Sequence, residues 1–467
     1  MKRILTFLMV FSIILAFCAC GNGAVGVNET DQTGKVFQAG FGRADMTPNF
    51  SVGLSGYDNA ETRRSIGAND SIYITCVALS DGEQTVLLIT ADLLGLNNAM
   101  IERIRTPVYL ATGVPLENIF VGATHTHSAP DLSIEDAQKT QFMQLFYDAA
   151  NKVAMAAMED LAPAKLQAAA AQFPDMTFVR HYLMNDGTYY GSNFGSTRSG
   201  FQAHATQKDA QMVLLKLDRE EKQDILLMNW QAHPARASQI GYNLISADFV
   251  GVVRSTLEQQ TGMHFAYFTG ASGNQNQDSL IASEKHGMSW YQYGQQLAQY
   301  AIQVMNGLKD VEDTQIKTAA LKYDAQIDHS WDYMIAEALE VHNLWKSKGW
   351  DAAAAKCKEY NFSSVYQSRA IRQRASKPAT ERMLVAAFRV GSVGFTAGSY
   401  EMFSDHSLYV REHSPFDINF IITGNAGYIP SAAAYDYRSY EADTGMYARG
   451  VGELLAEKYV ELLESIQ

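Results

Sequence analysis

Two histidines, His125 and His127, stand one residue apart directly after a short apolar run, residues 118–123. The run predicts a buried strand, and ligands of open α/β sheets collect beyond the carboxyl ends of such strands. Imidazole is a common zinc ligand, so the pair indicates a metal site. The pair does not complete one, because a catalytic zinc takes three protein ligands and alternate strand residues point to opposite faces. The other interpretation is two polar residues that close a strand.

Further polar groups follow other apolar runs. They are His233 after residues 225–230, a loop of small residues at 270–277 after 265–268, Glu401 after 393–396, and Tyr428 after 418–423. Two imidazoles and a carboxylate suit Zn²⁺, with water in the open position as the nucleophile. Each residue also has a structural interpretation: His233 as a strand cap, Glu401 at a helix N-terminus and Tyr428 as a core aromatic. Their joint occurrence at strand ends favours a shared site.

The elements that must hold these residues follow a pattern of hairpins and helices. This pattern predicts an α/β fold with mixed and parallel sheets and flanking helices. Predicted hairpins join 72–79 with 85–94, 211–217 with 225–230, and 383–390 with 393–396; predicted helices cover 100–110, 248–260, 330–360 and 452–466, and one more begins at Glu401. A strand, a helix and a strand in succession indicate right-handed parallel crossovers.

The N-terminal 20 residues differ from the rest of the chain. Lys2 and Arg3 precede an apolar stretch at 4–17, which is typical of a secretory signal and too short for a comfortable membrane span. Cys20 then matches the lipidated cysteine of a bacterial lipoprotein signal, although Phe17 stands where a small aliphatic residue is usual. We therefore predict an extracytoplasmic protein that is lipid-anchored to a bacterial membrane, with ordinary secretion as the alternative.

The remaining composition is that of a large globular protein. The chain has 467 residues, of which 47% are apolar and 11% aromatic, so a lipoprotein signal at 1–20, a tether at 21–35 and a single α/β domain at 36–467 are expected. The formal net charge is −13, which argues against a nucleic-acid partner. Beyond the signal only Cys76 and Cys357 remain, too few for a disulfide framework.

The chain resembles the neutral/alkaline ceramidase family over nearly all of residues 36–450. The motifs that carry the resemblance, in family order, are Phe41-Gly-Arg-Ala-Asp-Met-Thr-Pro48, Ala123-Thr-His-Thr-His-Ser-Ala-Pro130, Asn229-Trp-Gln-Ala-His-Pro234, Ser246-Ala-Asp248, Glu401 and Gly427-Tyr-Ile-Pro430. The resemblance implies a neutral-ceramidase-like α/β catalytic domain that hydrolyses the amide of an N-acyl sphingoid base. It also implies one Zn²⁺ per chain, held by His125, His233, Glu401 and Tyr428.

The resemblance assigns roles to four more residues. His127 is expected beside the metal as a catalytic residue, either contacting the substrate or supporting the metal ligands, and Arg180 corresponds to the family arginine that faces the pocket. Asp92 and Asp248 are expected to orient the metal-binding histidines, as outer carboxylates do.

One family motif is replaced. Ceramidases carry Gly-Asp-Val-Ser-Pro, with the serine at the reaction centre, whereas this chain has Gly273-Asn-Gln-Asn-Gln277 and thus Asn276 at the serine position. An amide side chain is no acyl-accepting nucleophile, but it can donate a hydrogen bond to a developing oxyanion. Metal-bound water is therefore expected to attack the carbonyl, with Asn276 positioning the substrate and His127 stabilising the oxyanion or transferring the proton.

The sequence thus predicts an extracytoplasmic zinc-dependent hydrolase that cleaves the amide bond of a small or lipid-like N-acyl amide. A zinc esterase of the same fold is one alternative, and a non-catalytic surface lipoprotein that binds a ligand is another. The hydrolase is favoured because all four family metal positions are filled. We also expect the chain, which ends in a predicted helix, to lack the C-terminal immunoglobulin-like domain of full-length ceramidases, so ceramide itself is not assigned.

Overall fold

The computed structural model describes residues 36–57, 60–191, 200–239, 241–277, 279, 281 and 287–467. The strands in chain order are β1 (Gln38–Asp45), β2 (Gly67–Ala68), β3 (Tyr73–Ser80), β4 (Thr85–Ala91), β5 (Ile119–Ala123), β6 (Ala162–Gln172), β7 (Phe178–Val179), β8 (His181–Met184), β9 (Tyr189–Gly191), β10 (Phe201–His204) and β11 (Gln211–Arg219). They continue as β12 (Ile225–Trp230), β13 (Leu244–Ile245), β14 (His264–Thr269), β15 (Gln275–Asn276), β16 (Lys309–Asp310), β17 (Ile316–Gln326), β18 (Thr380–Val390), β19 (Val393–Gly398), β20 (Glu401–Met402), β21 (Ile418–Thr423) and β22 (Tyr428–Ile429).

The helices are α1 (Asn98–Thr112), α2 (Ala137–Glu159), α3 (Phe249–Thr261), α4 (Trp290–Met305), α5 (Ile335–Lys348), α6 (Trp350–Glu359), α7 (Val365–Ala375), α8 (Ser404–His413), α9 (Ala432–Asp436), α10 (Tyr440–Thr444) and α11 (Val451–Ser465).

Two sheets form the centre of the fold. The larger has the order β14-β12-β11-β6-β1-β3-β4-β5, with β16 beside β6, and the smaller has the order β17-β18-β19-β21. Within these two sheets, three of the described pairs are parallel, namely β4 with β5, β12 with β14 and β19 with β21. A helix lies in each connection between parallel partners, because a parallel pair needs a crossover that returns the chain to the same end of the sheet.

The sheets pack face to face, and helices cover both outer faces. The apolar layer between the sheets includes Phe120 of the larger sheet and Phe388 of the smaller, whose ring centroids are 4.5 Å apart. Helices α1 to α4 bury two further apolar clusters on the larger sheet, and α8 and α11 cover the smaller sheet. The central strands are therefore buried on both faces, which explains their continuous apolar runs in the sequence.

Helices α5 to α7 make a separate helical layer with an apolar core of its own, which includes Ala338, Val341, Cys357 and Ile371. The sequence predicted one helical stretch at 330–360. The structure breaks it into α5 and α6 at Gly349, whose φ of 84° lies in the left-handed region that glycine adopts readily.

The predicted α/β class, with mixed sheets and flanking helices, is confirmed. The prediction of a helix that begins at Glu401 is wrong. Glu401 lies in the short strand β20, which pairs with β22, and the next helix begins at Ser404. Backbone pairing between two short segments far apart in sequence overrides the local turn signal at 398–400.

The predicted signal at 1–20, its lipidation residue Cys20 and the tether at 21–35 lie outside the described residues. Residues Val36–Gln467 form one compact unit. Within the part of the chain that the structure describes, no helix combines the length and the apolar character needed to cross a membrane.

Candidate metal centre

The residues that the sequence predicted as metal ligands lie where the carboxyl ends of strands from both sheets meet. Threonine side chains tie three of these ends together: Thr269 Oγ1 donates to the Thr124 carbonyl at 2.9 Å, and Thr423 Oγ1 donates to the Thr269 carbonyl at 2.9 Å. All three threonines are buried. The loops that follow β5, β14 and β21 therefore leave the sheets from fixed positions.

His125 departs from strand geometry just after β5. Its φ is 67°, a left-handed conformation that costs energy for a residue with a Cβ. The His125 N–H donates to the Leu93 carbonyl at 2.9 Å, which holds this turn. Because the chain turns here, His125 and His127 do not point to opposite faces as alternate strand residues do, and their ring centroids are 5.0 Å apart.

Backbone carbonyls hold all three imidazoles of the site at Nδ1. The bonds run from His125 to Leu94 at 2.6 Å, from His127 to Gly56 at 3.0 Å, and from His233 to Ser272 at 2.8 Å. A carbonyl oxygen only accepts, so each Nδ1 carries the proton and each Nε2 presents a lone pair. The backbone thus sets the tautomer that metal binding requires.

Gly56 is essential to the support of His127. Its φ is 95°, and a Cβ at this position would lie 2.4 Å from the Cβ of His127. Only glycine allows the backbone to approach the imidazole this closely.

The Nε2 atoms of the three histidines converge. The Nε2 atom of His125 lies 2.9 Å from that of His233 and 3.4 Å from that of His127. Burial lowers the pKa of His127 and His233 well below the usual value, and neighbouring charges including Arg180 lower it further. Both rings are therefore neutral near pH 7. Lone pairs that face each other at this distance repel unless they share a cation, so the donor set fits a metal ion.

Glu401 adds a carboxylate to the cluster. Its Oε2 atom lies 3.2 Å from Nε2 of His125 and 3.6 Å from Nε2 of His233. This oxygen is buried and accepts no hydrogen bond from the described residues, which is costly for a carboxylate. Ligand atoms of a tetrahedral zinc, with bonds of about 2.0–2.1 Å, stand about 3.3 Å apart. The observed separations therefore fit a cation between the three side chains.

Tyr428 faces the same region and contacts Arg180. The Nη2 group of Arg180 donates to the Tyr428 hydroxyl at 3.2 Å, and Tyr428 pairs with Glu401 across strands β20 and β22. Burial, and then the charge of Glu401, raises the pKa of Tyr428 well above its usual value. The phenol is therefore neutral unless a cation favours its ionised form.

Asn276 lies beside Arg180, in the short strand β15, which pairs with β7. Its Oδ1 atom accepts from Nη1 of Arg180 at 3.4 Å, which leaves the amide Nδ2 group to donate elsewhere. Ser272, the serine that precedes Gly273, is fully buried and holds His233 through its backbone carbonyl. Its position behind the histidine does not suit a nucleophile.

Asp92 and Asp248 do not take the role that the sequence suggested. Asp92 Oδ1 accepts from Arg254 at 2.8 Å, and Asp248 accepts backbone N–H groups of residues 236, 237 and 249 at the start of α3. The structure assigns the orientation of His125 and His233 to backbone carbonyls instead. Both carboxylates are buried, but they support elements around the site and not its imidazoles.

Sequence reasoning missed Glu441 and His181. Glu441 is fully buried; its Oε1 atom accepts from Nε of Arg180 at 2.8 Å, and its Oε2 atom lies 2.7 Å from Nε2 of His181. Arg180 in turn donates to the Gly273 carbonyl at 2.8 Å. His181 directly follows Arg180, which was a usable signal. Glu441 lies in the five-residue helix α10, far away in sequence, and gave none.

Residues 37–285, more than half of the chain, match the family model described as neutral/alkaline non-lysosomal ceramidase, N-terminal. The chain belongs to this family. The matched segment contains the three histidines, whereas Glu401 and Tyr428 lie beyond it. No curated protein matches the sequence.

Solved structures of ceramidases share the fold. The chain is similar to the crystal structure of neutral ceramidase from Pseudomonas aeruginosa, with a TM-score of 0.68 and 14% sequence identity, over 92% of this chain and 75% of that one. It is also similar to a ceramidase complexed with C2, with a TM-score of 0.67 and 13% identity, over 92% and 76% of the two chains. At these identities the likeness concerns the fold alone.

Proposed function

We propose that the protein is a zinc-dependent hydrolase that cleaves the amide bond of an N-acyl amine. The observation that carries the proposal is the convergence of His125, His233 and Glu401, with two facing imidazole lone pairs and a buried carboxylate oxygen that accepts no hydrogen bond. Membership of the ceramidase family supports the amide as the scissile group.

The side chains that would hold the ion are His125, His233, Glu401 and Tyr428. When bound, a divalent ion supplies Lewis acidity, which activates water and polarises a carbonyl group. Zinc is the proposed ion because imidazole nitrogen and carboxylate oxygen are its usual ligands, and the spacing of the His125, His233 and Glu401 donor atoms suits a tetrahedral arrangement. The nearby Nε2 atom of His127 belongs to the same group of donor atoms.

Three residues are proposed to act on the substrate. His127 is neutral, with Nδ1 fixed by Gly56, so its Nε2 atom can accept a proton and return it. Asn276 can donate from Nδ2 to the substrate carbonyl, because Arg180 already occupies its Oδ1 atom. Arg180 holds Tyr428 and Asn276 in place through separate nitrogens and brings a fixed positive charge to the site.

The substrate is proposed to be a lipid-like amide. One of the similar structures is a ceramidase complexed with C2, and the family is named for the hydrolysis of such amides. We further propose that the protein acts outside the cytoplasm and is lipid-anchored through Cys20. This part rests on the sequence of residues 1–20 alone.

Metal analysis and a matched substrate panel test the proposal. The soluble form that starts after Cys20 is purified, its metal content is measured, and amides and esters with identical acyl groups are assayed. The expected result is one zinc per chain and turnover of the amides. Turnover of the esters with no hydrolysis of the matched amides indicates a zinc esterase, and ligand binding without turnover indicates a binding protein; either outcome contradicts the proposal.

A further inference from the structure

A buried arginine lies behind His127. Arg63 is 1% exposed, and in the described part of the chain no carboxylate pairs with its guanidinium. A charge withdrawn from water without a counter-charge is costly, so the groups around it must compensate that cost. The rings of Tyr57 and Tyr242 do so in part, because their centroids lie 4.8 and 4.6 Å from Cζ of Arg63, within the range of cation–π contacts. The guanidinium is therefore held between two aromatic rings.

Arg63 joins three separate segments of the chain through their carbonyl groups. Its Nη1 group donates to the carbonyls of Ser55, at 2.6 Å, and His127, at 2.9 Å. Its Nε group donates to the Tyr242 carbonyl at 2.7 Å. The planar guanidinium presents its N–H groups at fixed angles, whereas a lysine ammonium is a point charge on a flexible stem. Arg63 therefore holds the three segments in one arrangement.

Two of these carbonyls flank the bond that orients the His127 ring. Nδ1 of His127 donates to the carbonyl of Gly56, and Ser55 is the residue before Gly56. A single nitrogen of Arg63 thus bonds to the segment that offers this acceptor and to the residue that carries the donor. These bonds fix the separation of the two segments, and the direction of the Nε2 atom of His127 depends on that separation.

Tyr57 adds a second support for the imidazole. Its ring meets that of His127 edge to face, with centroids 5.7 Å apart, and its hydroxyl donates to the Ala235 carbonyl at 2.8 Å. Because the same ring lies against Arg63, removal of the guanidinium would loosen both the carbonyl bonds and this ring contact. Among the described residues, Arg63 forms no hydrogen bond with any of the four candidate metal ligands.

We propose that Arg63 is a positioning residue for His127 in the hydrolytic reaction. This inference rests on the proposed function, in which Nε2 of His127 accepts a proton and returns it. Proton transfer requires the imidazole within hydrogen-bond reach of its partner, so a small displacement of the ring lowers the rate while the metal stays bound. Because Arg63 is buried, it acts through His127 and not on the substrate.

A double-mutant cycle tests whether Arg63 acts through His127. We expect R63A to keep one zinc per chain and to lose about 10- to 100-fold in kcat at nearly unchanged KM, as when the partner that supports a site residue is removed. In the H127A background R63A should cause no further loss, because the residue that it positions is already absent. Equal losses of kcat from R63A in both backgrounds, or a loss of zinc from R63A, overturn the inference.

Spectroscopy of the imidazole gives a readout that does not depend on turnover. The protein that starts after Cys20 is labelled with heavy nitrogen at histidine, and the ring signals of His127 are identified by their absence from H127A. We expect a fixed Nδ1–H tautomer in the wild type, and the loss of that signal in R63A, because the bond to the Gly56 carbonyl is no longer held. An unchanged tautomer signal in R63A contradicts the proposal.

Two further variants separate positioning from stability. R63K keeps the charge and the apolar stem, but one ammonium cannot bond to all three carbonyls, so it should fold and still lose most of the kcat that R63A loses. Wild-type kcat in R63K would show that the three bonds are not needed. R389A is the matched control, because Arg389 is also buried and donates to the carbonyls of Ile466 and Gly391, at the end of β19 away from the site. It should destabilise the protein and leave kcat unchanged, and a matching loss of kcat would trace the effect of R63A to reduced stability.

The inference and the proposed function can fail separately. If amides are hydrolysed and R63A keeps full kcat, Arg63 is not a positioning residue and the proposed function stands. If no amide is hydrolysed while R63A still removes the tautomer signal of His127, the proposed function is wrong and the link between Arg63 and His127 remains.

Discussion

Glu401 and Tyr428 are direct partners in a parallel pair of two-residue strands, β20 and β22. Neighbouring strands lie about 4.8 Å apart, so this pairing places two candidate ligands side by side although 26 residues separate them in the chain. Each strand follows a longer strand of the smaller sheet, β19 or β21, and those two strands are themselves parallel. The carboxylate of Glu401 and the phenol of Tyr428 therefore follow strands of the smaller sheet, whereas the histidines follow strands of the larger sheet.

Removal of one imidazole should abolish metal binding. We expect His233→Ala to lower zinc affinity and amide turnover by more than about 100-fold, because Nε2 of His233 lies in the group of converging donor atoms. Zinc content by elemental analysis and kcat/KM provide the measurements. His413→Ala, at an exposed histidine of α8, is the control and should change neither. Full zinc content in His233→Ala would show that the ligand assignment is wrong.

Asn276 should affect the substrate without affecting the metal. Asn276→Ala should keep full zinc content and lose about 100-fold in kcat, because the amide that donates to the developing oxyanion is absent. Asn276→Asp keeps an acceptor for Arg180 but removes the donor, so it should lose activity as well. Asn276→Ser should shift the activity ratio towards ceramide-like substrates. A loss of zinc in these variants would contradict the assigned role.

Glu441 should act as a positioning residue through Arg180. Glu441→Gln leaves the buried guanidinium without its counter-charge, and we expect kcat to fall about 10- to 100-fold with a cost of about 3 kcal/mol in the free energy of unfolding. Thermal and urea unfolding measure stability, and steady-state kinetics measures kcat. Asp328→Asn breaks another buried pair, with Arg374, and should destabilise the protein while kcat stays unchanged. Equal kcat losses in the two variants would assign Glu441 a merely structural role.

Both cysteines of the folded domain should resist thiol reagents. Cys76 and Cys357 are buried free thiols, and burial raises the pKa of each, for Cys357 to about 11. The thiolate is the reactive form, so its fraction at pH 8 is small in the folded state and rises on unfolding. Ellman's reagent should label neither thiol in the native form that starts after Cys20, and both in denaturant. Rapid labelling of one thiol in the native protein would show local opening around that cysteine.

The histidines and the strands that precede them could be predicted because their signals are local. Apolar runs end just before His125 and His233. The hydrophobic period of the strands and the turn residues between them define the hairpins. Glu401 was found through its place after an apolar run and through the family resemblance, but the sequence placed it in a helix. The pairing of β20 with β22 gave no local signal, because it depends on residues far apart in the chain. Glu441 had no local signal at all, since its role arises only when α10 packs beside Arg180.

The connection of the site to both sheets bears on how the protein is made. During synthesis the three histidines emerge well before Glu401 and Tyr428, which belong to the final strands. A partly translated chain therefore offers imidazoles but neither the carboxylate nor the phenol. In the proposed metal centre, the full set of donor atoms therefore forms only once the smaller sheet has packed onto the larger one.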